Sequence, residues 1–167
     1  MDISIRPIGP GEHEALGEIT ARAYLDDGLL DLGAEDPYLA ELRAVGRRAA
    51  EAEVLVAVGS EGAVLGGVTY ALSGNPWADI ALEGEAEFRM LAVSGEARGR
   101  GAGEALVRAC IDRARATAGV TGVVLSTQDV MLDAHRIYRR LGFVRTPERD
   151  WEPLPDFGPL LTFRLAL

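Results

Sequence analysis

At 167 residues with 48% hydrophobic content, the chain is long enough for one domain with a sizeable core and too apolar for disorder. A formal charge of −9 argues against nucleic acid or an anionic membrane as the main partner, because those surfaces select basic patches. One cysteine (Cys110) excludes an internal disulfide, and two histidines (His13 and His135) cannot by themselves make a zinc cluster. No apolar run approaches the ~20 residues of a membrane span, and residues 1–14 lack a basic segment followed by an apolar one. A cytoplasmic, metal-free protein is the expectation.

Residues 3–8 (ISIRPI) alternate apolar and polar, which predicts a short first strand, with Pro7 favouring an edge or a strand end. Gly9-Pro10-Gly11 punctuates. A helix is predicted over 12–24, with Leu16, Ile19, Ala23 and Tyr24 near helical spacing. A Gly/Asp-rich connection (25–37) leads to a second helix over about 37–52, striped by Leu39, Leu42, Val45 and Ala49. Strands at 54–58 and 64–72 flank a hairpin turn at Ser60-Glu61-Gly62. An acidic segment with Asp79, Glu83, Glu85 and Glu87 leads into a central strand at 87–93. After it come a Gly- and Arg-rich turn (95–103), a helix from Glu104 or slightly before, a strand at 120–126 and a helix at 132–141 stopped by Gly142. Final strands are expected at 143–151 and 160–165, separated by a turn with Pro153, Pro155 and Pro159. The order β-α-α-β-β-β-α-β-α-β-β, without repeats or linkers, reads as a single domain over 1–167: a sheet with helices on both faces.

The turn at 95–103 is the chemically informative stretch. Glycines feeding a helix N-terminus leave backbone N–H groups unpaired, let oxygens approach without Cβ interference and add the partial positive charge of the helix dipole. That makes an anion pocket, most naturally for phosphate. A Walker-type loop is excluded, since no Lys-Ser or Lys-Thr pair occurs. The dinucleotide fingerprint is weak: its third glycine falls on Leu106 or Glu104, and the turn lies mid-chain. The pattern R-G-x-G-x-G is met in full by Arg98-Gly99-Arg100-Gly101-Ala102-Gly103. A plain Gly-rich connector with two solvated arginines is the competing reading.

With the preceding Leu91-Ala92-Val93, the turn resembles the acetyl-CoA pyrophosphate loop of the GNAT superfamily of N-acetyltransferases. A second stretch, Ala134-His135-Arg136-Ile137-Tyr138-Arg139-Arg140-Leu141-Gly142-Phe143, resembles the family's A-x-x-x-Y-x-x-L-G-F helix and strand entry. The resemblance implies an α/β (α+β) fold: a mixed, mostly antiparallel sheet of six to seven strands flanked by helices on both faces. Two positions depart from the family pattern: Gly95 stands where Pro is frequent, and Met131 where Asn is frequent. The first implies a looser loop entry, the second a missing side-chain amide near the pantetheine.

The resemblance also implies roles. Backbone atoms of Leu91, Ala92 and Val93 would serve the pantetheine and the developing oxyanion, since a bent or bulged strand supplies free N–H groups. Arg98, Gly99, Arg100, Gly101, Ala102 and Gly103 would hold the pyrophosphate, mostly through backbone amides. Glu87, on the strand face of Val93 by even spacing, becomes the candidate general base, against the reading of a surface carboxylate like Glu83 and Glu85. Tyr138 becomes the candidate acid for the departing thiolate, against that of a half-buried core tyrosine. His135 is expected on a helix surface, His13 in a polar first turn and Cys110 in the core. Trp77 and Trp151 fit either an acceptor pocket or the core. Loops 25–37 and 152–159 lie where such proteins shape acceptor specificity.

The implied function is acetyl-CoA-dependent acetylation of a primary amine, on a small molecule or a peptide, by direct attack in a ternary complex. A non-catalytic acyl-CoA-binding sensor or interaction module is the alternative, and the acceptor and acyl length stay open. Dimers are frequent among proteins of this kind, so a homodimer is carried as an expectation.

Overall fold

The structure is a computed structural model, and it describes residues 2–155 and 158–167. Asp156 and Phe157, inside the expected Pro-rich turn, lie outside the described residues. Among the described residues, seven strands form a mixed, mostly antiparallel sheet: β1 (Ser4–Pro7), β2 (Glu53–Val58), β3 (Val64–Leu72), β4 (Glu85–Val93), β5 (Gly122–Thr127), β6 (Val144–Arg145) and β7 (Leu161–Ala166). They pair in the order β1-β2-β3-β4-β5-β7-β6. The helices are α1 (His13–Asp26), α2 (Tyr38–Arg43), α3 (Val45–Glu51), α4 (Ala102–Arg115) and α5 (Leu132–Arg140). The chain divides into two units, Met1–Tyr70 with Met90–Ala109, and Ala71–Arg89 with Cys110–Leu167.

The first unit buries Leu16, Val45, Val54, Val56 and Val58 against Ile8, Ala49 and Val64. The apolar stripe of α1 runs through Leu16, Gly17, Thr20 and Ala21 rather than through Ile19, Ala23 and Tyr24, which stay partly exposed. Gly17 is the reason: its missing side chain lets the Arg43 backbone approach, with the Arg43 oxygen 3.2 Å from where a Cβ would stand. The single helix expected over 37–52 is two. Ala44 breaks it at φ −79° and ψ 51°. Arg48, 1% exposed, donates to the carbonyls of Glu41 (2.6 Å) and Leu42 (3.0 Å) and from Nε to Thr69 Oγ1 (3.1 Å). A guanidinium thus satisfies the last carbonyls of α2, which no helix continues to cover.

In the second unit β4 pairs in parallel with β5 through Glu85–Gly122, Ala86–Val123 and Glu87–Val124. Strand β5 pairs antiparallel with β7, bringing Val124 opposite Arg164 and Leu125 opposite Phe163. One face carries an aromatic cluster: Tyr138 of α5 has ring-centroid distances of 5.8 Å to Phe88, 6.0 Å to Phe143 and 5.9 Å to Phe163. The strand expected over 143–151 is cut to Val144–Arg145. A 3-10 turn at Pro147–Arg149 replaces its continuation, and pairing resumes only as the isolated bridge of Trp151 with Leu160. Pro147 has no N–H to donate to a ladder, and Asp150 instead takes a fork from Arg145, both bonds at 2.8 Å.

Candidate active site

The first unit holds the candidate cosubstrate residues. Met90 has φ 55°, the one positive φ outside glycine among the described residues. Such a residue distorts the strand locally, and it immediately precedes Leu91, Ala92 and Val93. Gly66 of β3 faces this stretch so closely that an added Cβ would meet the Ala92 carbonyl oxygen. The Ser94 amide then bonds to Leu65 O at 2.8 Å. Gly95 does not loosen the loop entry: Gly95–Ala97 is a 3-10 turn, closed by Ala97 N to Ser94 O at 2.9 Å and pinned by the buried Ala97.

Gly99 (φ 76°) and Gly101 (φ 87°) take the left-handed conformation, and a Cβ at either would meet nothing within 4 Å. The first i→i+4 bond of the following helix runs from Ala105 N to Gly101 O at 3.0 Å. The amides of Ala102, Gly103 and Glu104 precede it, in the turn where a helix has no carbonyls for its donors. An open cradle of left-handed glycines at a helix start fits a phosphate group. Arg98 forks onto Asp27 (3.1 and 2.9 Å), both side chains being about half-exposed.

The second unit holds Glu87 and Tyr138. Glu87 is 1% exposed, not a surface residue. Its Oε1 accepts from the amides of Ile80 (2.8 Å) and Ala81 (2.9 Å), while the buried Oε2 has no hydrogen-bond partner. Burial pushes its carboxyl up, the Ile80 and Ala81 amides pull it down, and the neighbouring Asp79 charge pushes it up again; the net shift is upward. Tyr138 is fully in the aromatic cluster rather than half-buried, and desolvation raises its phenol well above the ordinary range, with a smaller contribution from Cys110. Tyr138 packs on Phe88, and consecutive strand residues point to opposite faces. Glu87 and Tyr138 therefore belong to opposite faces of β4.

Two residues depart from the surface positions expected of them. His135 is 3% exposed. Its Nε2 donates to Gln128 O (3.0 Å), lies 3.3 Å from Thr127 Oγ1, and its ring is 5.6 Å from that of Phe163. Burial lowers its pKa, and the Arg139 and Arg145 charges push the same way. Glu85 is 6% exposed and accepts from Arg149 (two bonds of 2.9 Å), Arg164 (2.8 Å) and the Leu82 amide (2.9 Å). Burial alone would raise its carboxyl, but the bonds from Arg149, Leu82 and Arg164 win and hold it at about 2. Gly122 makes room for this: a Cβ there would collide with the Arg164 guanidinium. An E-x-E pair on one strand face was the signal available for Glu85; its arginine partners lie 64 and 79 residues away.

Trp77 is buried, and Trp151 donates from Nε1 to Ser126 Oγ at 2.9 Å. Met131, the residue before α5, receives Thr127 Oγ1 at its sulfur (3.5 Å). Among the described residues no helix is long and apolar enough to cross a membrane, and no cluster of three or more His, Cys, Asp or Glu could hold a metal.

The acetyltransferase (GNAT) family matches residues 16–143. The chain belongs to that family and is an acyltransferase by class. It is similar in structure to a histone acetyltransferase HPA2-related acetyltransferase from Corynebacterium glutamicum (24% identity, 98% of this chain and 96% of that one covered, TM-score 0.73). It is also similar to yncA from Salmonella typhimurium, solved with its cofactor acetyl-CoA (22% identity, 100% and 95% covered, TM-score 0.72). A phosphinothricin acetyltransferase from Sinorhizobium meliloti in complex with acetyl-CoA is a third (20% identity, 100% and 89% covered, TM-score 0.73). At these identities the likeness carries the fold. No curated protein matches the chain.

Proposed function

We propose that the chain is an acetyl-CoA-dependent N-acetyltransferase that acetylates a primary amine, of a small molecule or a peptide, by direct attack in a ternary complex. Acetyl-CoA supplies the acetyl group as a thioester. Support for its use comes from the glycine cradle at 99–101, the family match, and the acetyl-CoA complexes of two similar structures. In this reading the amides of Arg98, Gly99, Arg100, Gly101, Ala102 and Gly103 hold the pyrophosphate, with the arginine side chains adding charge. The backbone of Leu91, Ala92 and Val93, distorted by Met90, holds the pantetheine and the thioester carbonyl oxygen.

Glu87 takes the proton from the attacking amine. The observation that carries the catalytic reading is its carboxylate geometry: Oε1 is pinned by two amides, while Oε2 is buried without a partner. A carboxylate kept only for packing would satisfy both oxygens, because an orphaned buried acceptor costs roughly 1–3 kcal/mol. The upward push of burial makes Glu87 a better proton acceptor than an exposed carboxylate. Tyr138, the family-motif tyrosine of α5, delivers a proton to the departing sulfur. Proton removal thus falls to a residue of β4 and proton delivery to one of α5 packed on the other face of that strand.

Thiol release from acetyl-CoA across a panel of amines tests the proposal. Glu87→Gln is expected to lower kcat by ~10²-fold or more, and Tyr138→Phe to lose turnover with acetyl-CoA affinity kept. Saturable coenzyme A binding without thiol release from any amine would instead assign the chain to a binding module.

A further inference from the structure

Arg149 does more than neutralise Glu85. Its Nη1 and Nη2 fork onto the two oxygens of Glu85, each at 2.9 Å, and Nη2 is shared with the carbonyl oxygen of Ile80, also at 2.9 Å. That carbonyl and the amide of Ala81 are the two ends of one peptide unit. The amide end donates to Glu87 Oε1 at 2.9 Å. A cation bonded to a peptide oxygen draws electron density toward itself and makes the N–H at the other end a stronger donor; chained hydrogen bonds polarise one another in this way in a low-dielectric interior. We infer that Arg149 is a positioning residue for Glu87, acting through the Ile80–Ala81 peptide, an assignment that rests on Glu87 being the base.

The local geometry separates this role from simple ion pairing. The fork to Glu85 would be complete without Ile80. The bond to Ile80 O instead fixes the orientation of a segment that spends three consecutive amides on two carboxylates: Ile80 and Ala81 on Glu87, Leu82 on Glu85. With that peptide held, Glu87 is gripped at Oε1 and Oε2 is kept for the proton. Arg149 also lies close enough for its charge to feel Glu87 directly. The other charged groups around the site are Asp79, which repels the Glu87 carboxylate and is itself paired with Arg89 at 3.3 Å, Glu85 and Arg164 in the fork, and Glu148 beside Arg149.

The sign follows. Arg149 and the polarised amide favour ionised Glu87, opposing burial and Asp79, so losing Arg149 raises the pH at which Glu87 gives up its proton. The experiment is a carbon-13 NMR titration of the Glu87 carboxyl in the ligand-free protein, assigned by its loss in Glu87→Gln, beside the pH profile of kcat/KM. Arg149→Gln is expected to move the carboxyl midpoint and the acid limb up together by about one pH unit, a tenfold loss below the limb. Arg149→Lys, which keeps the charge without the fork, is expected to fall between. The Glu85→Gln/Arg149→Gln double variant removes both partners of the buried pair and supplies a folded protein if Arg149→Gln alone is unstable. An unmoved midpoint, with activity lower by the same factor at every pH, overturns the inference while leaving Glu87 as base. A midpoint that moves without the acid limb removes Glu87 from the reaction, and the catalytic role of Arg149 with it.

Discussion

Gly66 offers a test of how β3 places the proposed thioester-binding strand. An ideal Cβ at Gly66 would overlap the Ala92 carbonyl oxygen and stand 3.1 Å from Val93 Cα and 3.3 Å from Ala92 C. All three are backbone atoms, so no rotamer change relieves the contact. Non-bonded heavy atoms settle at roughly 3.5–4.0 Å. The backbone at Ala92 must therefore retreat by about 1 Å in Gly66→Ala. Overpacking of this kind costs about 1–3 kcal/mol, which in a chain of this size lowers Tm by roughly 2–12 °C. The larger effect is on rate, because misplacing a positioning group by about 1 Å costs ~10²-fold. Thermal unfolding and thiol release read the two effects separately. Gly11→Ala is the control, since its Cβ meets nothing within 4 Å and its φ is ordinary; it should change neither. Wild-type kcat/KM in a Gly66→Ala protein whose Tm has fallen would show that the 91–93 backbone does not position the thioester. An unchanged Tm would refute the close approach itself.

Three further outcomes are expected. Gly101→Val forces a branched side chain into φ 87° and fills the space above the cradle, so titration calorimetry with coenzyme A should show a larger loss of affinity than Arg100→Ala; the reverse ranking would mean that side chains do the holding. Asp27→Asn removes the carboxylate that forks with Arg98. An exposed pair of this kind is worth about 0.2–1 kcal/mol, so coenzyme A should bind up to ~5-fold more tightly at low salt, and weaker binding would give Asp27 a different role. For Glu85, a folded-state pKa lowered to about 2 from the ordinary 4.5 means that its stabilisation is complete above pH 4.5 and lost as pH falls toward 2. Urea unfolding should show Glu85→Gln less stable by about 3 kcal/mol at pH 7, with the deficit narrowing below pH 4.5; a constant deficit would refute the linkage.

What the sequence disclosed follows from the range of the forces involved. The glycine turn and the start of α4 were legible because φ preference and helix-end charge are local, and β3 over 64–72 was bounded correctly by its hairpin turn and its Gly-Asn-Pro break. The break at Ala44 was not legible, because a 37–52 stripe of leucine, valine and alanine satisfies helical periodicity with or without it. Its cause is Arg48 reaching back to cap Glu41 and Leu42 while anchored on Thr69, 21 residues away. His135 was misplaced for a similar reason: its neighbours Arg136, Arg139 and Arg140 make the helix look solvated, yet Gln128 O and the Phe163 ring bury that one turn. Pro147 was a local signal against a strand over 143–151, and the structure obeys it.

The pair Glu85 and Glu87 shows how tertiary contacts give two identical side chains different chemistry. They stand two residues apart on β4, on the same face, and β5 presents Gly122 opposite the first and Val124 opposite the second. That difference admits Arg164 across Gly122 to Glu85, and Arg149 completes the shell. With Oε1 taken by Arg149 and the Leu82 amide and Oε2 by Arg149 and Arg164, the Glu85 carboxyl is held at about 2 and has no lone pair to offer: it is disqualified as a base. Glu87 receives only neutral amides, and only on Oε1, so desolvation governs it and its carboxyl moves upward. A base needs a higher proton affinity and an oxygen left open, and of the two only Glu87 has both. Arg149 is bonded both to Glu85 and to the peptide that holds Glu87. Its replacement strips two direct bonds from Glu85 and frees the peptide that grips Glu87, so both carboxyls should titrate higher.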